Sequence, residues 1–184
     1  YCFGMGLSYT SFDIRTDSVK ADGNEISVTA TVTNTGKVAG KEVVQVYYSA
    51  PNGLLGKPAI ELAAFAKTEM LAAGGSQSLT IRFAIDQMAS YDDTGKTGNA
   101  SCYVLEAGDY VISVGNSVRD AAAHPVYTHS IGRLSVTQRC TQYAASDKLT
   151  QRLYNDGSGT VQYEAYQNAG ENNPLAMTTP VDEL

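Results

Sequence analysis

With 184 residues, 43% of them hydrophobic and 17% charged, the chain has the make-up of one globular domain plus an extension, with enough apolar side chain for a sizeable core. A net charge of −6 speaks against a nucleic-acid partner, which needs a basic stripe. No run of about 18 apolar residues is present to cross a membrane, and no basic segment followed by an apolar one marks a signal peptide.

The elements follow in chain order. Phe12 and Ile14 alternate with Asp13 and Arg15, a first strand running to about Lys20. Ala21-Asp22-Gly23-Asn24 is a hairpin-type turn. Ile26, Val28, Ala30 and Val32 then alternate with Ser27, Thr29, Thr31 and Thr33, which describes a half-buried antiparallel strand. After Asn34 to Gly40 comes Glu42 to Tyr48, apolar on nearly every residue, with Val44 and Val46 on the core face. Such a strand suits the middle of a sandwich better than its edge.

Pro51-Asn52-Gly53 ends that strand, and Leu54 to Lys57 is expected to be a loop. Pro58 cannot donate to a ladder, so the next strand, Ile60 to Ala64, is expected to begin after it or to lie at an edge, and it continues from Phe65 to Leu71. Ala73 to Ser76 is a turn, and Leu79, Ile81, Phe83 and Ile85 mark the cleanest strand of the chain. Asp86 to Ala89 suits a single helical turn, and Ser90 to Ala100 is polar enough for a loop. Tyr103 to Val114 reads as a strand interrupted by a turn at Glu106 to Asp109, and Gly115 to Pro125 as a loop. Val126 to Val136 is a last strand whose phase slips at Gly132, the mark of a β-bulge. Seven or eight strands with turns between them and little helix form the pattern of a β-sandwich. Beyond Arg139, Gln142 to Tyr154 is expected to be a short helix, Val161 to Ala165 a short strand, and Asn168 to Leu184 a linker.

TNTGKVAGKEVVQVYYSAP resembles the fibronectin type III-like domain of family 3 glycoside hydrolases, the β-glucosidases and β-xylosidases. YCFGMGLSYTSF is similar to the run that leads into that domain. KPAIELAAFAKTEMLAAGGSQSLTIRF and LEAGDYVISVGNSVRD match later strands in the right order. Four ordered motifs covering roughly residues 1–136 are more specific than any one of them. The resemblance implies an all-β, fibronectin type III-like antiparallel sandwich at 12–138, a connector from a preceding enzyme domain at 1–11, and a less regular extension at 139–184. Because the leading motif is broken at Tyr1, that residue reads as a fragment boundary. The implied role is a noncatalytic accessory domain whose partners are the other domains of one parent enzyme. Phe3, Leu7 and Tyr9 of the connector are the expected docking residues. The alternative is an independent carbohydrate-binding or adhesion sandwich.

Glycoside hydrolysis needs two carboxyl groups flanking the scissile bond. Asp92-Asp93 is a pair that invites that reading, and adjacent side chains in an exposed loop are expected to point apart into solvent. No catalytic residue of the family maps onto this chain. Glu106-Ala107-Gly108-Asp109 lacks the ligand spacing of a calcium loop. Cys2, Cys102 and Cys140 lack the spacing of a zinc site or a disulfide framework, and His124 and His129 have no cysteine near enough to suggest ligation. No cofactor or metal is expected. Tyr47, Tyr48, Tyr91, Tyr103, Tyr110 and Tyr127 are candidates for stacking on sugar, against a routine role in cores and rims. If the final two strands form a hairpin centred near Ala121, Cys102 faces Cys140.

Overall fold

The computed structural model describes residues 1–140, 151–154 and 156–165. The chain divides into two compact units: Tyr1–Ala50 with Ile60–Met88 and Asp109–Ser130, and Pro51–Ala59 with Ala89–Gly108 and Ile131–Leu184.

The first unit holds the sandwich. One sheet has the order β1-β2-β5, formed by Phe12–Asp22, Glu25–Asn34 and Ser76–Ala84. The other has the order β4-β3-β8-β9, formed by Glu61–Lys67, Val43–Ser49, Gly108–Gly115 and Pro125–Ile131. The β1–β2 hairpin turns on Gly23 and Asn24, with Gly23 at φ 56°, which glycine tolerates without strain. Alternation along β2 is realised without exception: Ile26, Val28, Ala30 and Val32 are fully buried, and the Ser and Thr positions between them are only partly covered.

Strand β3 is buried along Val44 to Tyr48 because β4 and β8 flank it in the sheet. β2 and β3 lie in different sheets, so the Asn34–Gly40 segment crosses from one to the other. Asn34 pins that crossing: its fully buried amide donates to the Val38 and Leu71 carbonyls at 2.8 and 2.9 Å. Its oxygen accepts from Thr10 Oγ1 and the Gly36 N–H at 2.7 and 3.0 Å.

The second unit has a smaller three-stranded sheet, β6-β7-β10, from Ser90–Asp92, Cys102–Leu105 and Ser135–Arg139. A hairpin of β11 (Gln151–Tyr154) and β12 (Gln162–Ala165) completes its described part. Leu55, Cys102 and Val104 form its apolar centre, with Leu134 and Val136 packed against them.

Several elements differ from the expectations. Ser90 to Asp92, expected in a loop, pairs with β7 as β6. The strand expected over Tyr103 to Val114 is two strands in different sheets, broken at Glu106 and Ala107; Gly108, which opens the second, has a φ of 136° that suits glycine, and a Cβ there would press on Pro51. The loop expected at 115–125 contains a short helix, α1 (Val118–Ala123), capped by Ser117 accepting from the Asp120 N–H at 3.3 Å. The last strand is β9 and β10, separated at Gly132 to Leu134; the bulge falls between Val136 and Gln138 instead of at Gly132. Gln151 to Tyr154, the end of the expected helix, is a strand, because the Asp156–Thr160 turn brings it into register with β12. The rest of that helix and the linker at Asn168 to Leu184 lie outside the described residues. Cys102 pairs with Arg139, and the Cys140 N–H donates to the Ser101 carbonyl at 2.8 Å, so the two thiols are one position out of register. All three cysteines are free. Among the described residues no helix is long and apolar enough to cross a membrane.

Candidate docking surface

The run Tyr1 to Ser11 has no strand partner until its end, yet its backbone is held at several points. Gln45 reaches out from the middle of β3, and its Nε2 donates to the carbonyls of Gly4 at 2.9 Å and Asn116 at 2.7 Å. Its Oε1 accepts from the buried Tyr47 hydroxyl at 2.6 Å. Burial, reinforced by Cys2 nearby, pushes the Tyr47 phenol up from its ordinary pKa, so it stays a donor to Gln45. Gly4 lies at φ 76° against the Gln45 amide, and a Cβ there would collide with it. The Phe3 carbonyl accepts from the Val118 N–H of α1 at 3.0 Å, and the Phe3 ring meets Tyr47 edge-on at 6.5 Å. At the far end, the Ser11 carbonyl accepts from the Thr35 and Gly36 N–H groups at 2.8 and 3.2 Å.

Between these anchors at Phe3, Gly4 and Ser11 the large apolar side chains point outward. Phe3 is 63% exposed, Leu7 82% and Tyr9 99%; Tyr1 and Met5 are exposed as well. Large exposed apolar side chains on one short run make it a candidate docking surface, and a backbone held at both ends of the run lowers the ordering cost of using it. Alongside runs a cleft rimmed by Lys41, Lys67 and Arg119 against Glu42, a locally basic edge on a chain of net charge −6.

The acidic residues weighed for chemistry have structural work instead. Asp92 is fully buried, not solvated as its loop position implied. It accepts from the backbone N–H groups of Gly95, Lys96 and Thr97 and from the Thr97 hydroxyl, at 2.6–2.9 Å. Burial alone would raise its pKa; those four bonds outweigh burial and hold its carboxyl below the usual range. Glu106 is buried and accepts from the Leu54 and Leu55 N–H groups at 2.6 and 3.3 Å, clamping the loop after β3. Among the described residues no group of three or more His, Cys, Asp or Glu side chains gathers as a metal site. Tyr47, Tyr48 and Tyr110 are buried and present no stacking face; Tyr103 is exposed, with its ring 5.3 Å from that of Tyr91. Gln45, Asn34 and Asp92 were missed as organising residues. The one visible signal was polarity inside an apolar run, clearest at Gln45.

Residues 42–118 match the model of the fibronectin type III-like domain. Over 91% of the chain the fold superposes on a β-glucosidase from Paenibacillus barengoltzii with a TM-score of 0.84 and 42% identity, covering 20% of that chain. A GH3 β-glucosidase from Bifidobacterium adolescentis superposes over 74% of the chain, with a TM-score of 0.58, 33% identity and 18% of its own length. This chain carries a fibronectin type III-like domain of the family 3 glycoside hydrolase kind. In sequence, β-glucosidase A of Butyrivibrio fibrisolvens is 41% identical over 99% of the chain and 22% of its own length. The fibronectin type III-like chain thus spans about a fifth of the relatives it matches.

Proposed function

We propose that this chain is the noncatalytic accessory part of an enzyme that hydrolyses terminal β-glucosidic or β-xylosidic bonds, and that it docks onto that enzyme's other domains through Phe3, Leu7 and Tyr9. In this reading residues 1–11 are the connector, 12–138 the fibronectin type III-like domain and 139–184 an extension. The observation that carries it is the conjunction at the connector: a backbone pinned by Gln45 and α1, with large apolar side chains turned to solvent. Monomeric surfaces seldom leave such side chains together unless something covers them.

The pure chain is expected to release no p-nitrophenol from an aryl β-glucoside; release proportional to protein would overturn the noncatalytic assignment. Docking is tested by Leu7→Asp with Tyr9→Ser. Both side chains are almost fully exposed, so the melting temperature of the isolated chain should hold while that of the full-length polypeptide falls. An unchanged full-length melt would remove the connector from the docking surface.

A further inference from the structure

The β11–β12 hairpin is built inside out. In an antiparallel pair with one wet face, apolar side chains turn inward and polar ones outward. In β12 the polar Gln162 and Glu164 are the half-covered residues, and Glu164 is tied to Lys96 at 2.5 Å. Tyr163, between them, is 63% exposed and stands directly opposite Leu153, which is 64% exposed. Val161, just before the strand, is 72% exposed. An apolar cross-strand pair gains little while it faces water, and a lone two-stranded hairpin is marginal in stability.

Residues 1–140 are about three quarters of the chain, and the superposition on the P. barengoltzii enzyme covers 91%, so it extends into the residues after Cys140. The B. adolescentis superposition, at 74%, needs none of them.

We infer that the Leu153–Tyr163 face, with Val161, is a second docking surface, covered in the parent enzyme by an apolar patch on another domain of the same polypeptide. The inference rests on the accessory reading above. Area selects this occupant. Three side chains offer on the order of 400 Å², whereas stable complexes between separate molecules bury about 600–1,000 Å² on each partner. A second copy would not be held by so small a patch. A tethered domain would be, because covalent linkage raises the effective concentration to about the millimolar range. A saccharide needs several converging polar groups beside its stacking face, and the outward positions here are Gln151, Leu153, Tyr163 and Ala165.

Hydroxyl-radical footprinting, read by mass spectrometry on the isolated chain and on the full-length polypeptide, tests this at single residues. Leu153 and Tyr163 should react freely in the isolated chain and about tenfold more slowly in the full-length protein, as side chains in a packed interface core do. Equal reactivity in both forms overturns the inference, as does protection already present in the isolated chain. Protection that appears only at high protein concentration, or only with cellobiose, overturns it in favour of a second copy or a saccharide. Leu7 and Tyr9, read in the same spectra, report separately on the connector. Protection there without protection at the hairpin sinks this inference alone, and the converse sinks the connector reading alone.

Discussion

The two units of this chain are held together by different physics. In the sandwich, the buried positions are overwhelmingly aliphatic and aromatic: Ile26, Val28, Val32, Val44, Val46, Ile81, Ile112 and Val114 are almost wholly removed from water. Each such side chain contributes about 1.5–3 kcal/mol of burial. Among the described residues of the second unit, the apolar centre is Leu55, Cys102 and Val104 with two partly covered neighbours, Leu105 is buried as well, and buried polar side chains do much of the fixing. Asp92 and Glu106 clamp loops by accepting backbone N–H groups, and Lys57, also buried, donates to the Ser90 hydroxyl. A small unit with few apolar residues reaches a defined shape by satisfying its loop backbone groups, because unpaired buried N–H groups are costly.

The sharpest way to break that comparison is Asp92→Ala. It removes the acceptor of four hydrogen bonds and is expected to cost about 3 kcal/mol, read as early proteolysis or fast hydrogen exchange at Ala89–Gly108. The same residue predicts a pH dependence. Its folded pKa is depressed, so its stabilising contribution is complete above the ordinary carboxylate range and is lost as pH falls through its lowered folded value. The alanine variant should lack that component of acid destabilisation. An unaltered acid limb in the variant would show that Asp92 is not the group responsible.

On the sandwich side, Val46→Ala removes two methyl groups from a fully buried site between β4 and β8 and should cost about 1–3 kcal/mol in denaturant melts. A loss as small as that of a surface change would mean the strand does not carry the core. Gln45→Leu probes the same strand on its polar residue. It leaves the Gly4 and Asn116 carbonyls and the Tyr47 hydroxyl without their partner, for an expected cost of about 1–2 kcal/mol. Its distinguishing readout is faster hydrogen exchange of the connector and α1 N–H groups, which the Val46 change should leave nearly as they were.

The contrast between the units also explains what the sequence made legible. Period-2 alternation is a direct consequence of burying one face of a sheet, so β2 and β5 could be read residue by residue, and the continuous apolar run of β3 announced a central strand. Where polar groups fix the fold, that signal vanishes. Asp92 looks like a solvated loop acid, because nothing in its own neighbourhood reveals that the N–H groups of Gly95 to Thr97 fold back onto it. β6 was lost in the same polar stretch. Sheet partition is equally silent: β2 and β3, or β7 and β8, are neighbours in sequence and members of different sheets, which local alternation does not encode. The family resemblance is what singles out the exposed Phe3, Leu7 and Tyr9 as docking candidates, whereas the outward pair Leu153–Tyr163 needs the register of β11 and β12.

The smallest expected effect completes the comparison from the solvent side of the sandwich. Thr29 lies on β2 between the fully buried Val28 and Ala30, but its side chain is on the opposite face, with its hydroxyl 3.3 Å from that of Thr80 across the ladder. That contact is exposed, so water replaces it when either hydroxyl is lost, and no cavity is left behind. The remaining penalty is the lower strand preference of alanine against a β-branched residue, and Thr29→Ala is therefore expected to cost less than about 0.5 kcal/mol. Measured beside Val46→Ala in the same denaturant series, it tests facing instead of composition. If the two losses were equal, burial of one strand face could not be what stabilises this sheet, and the assignment of the first unit to hydrophobic packing would fail with it.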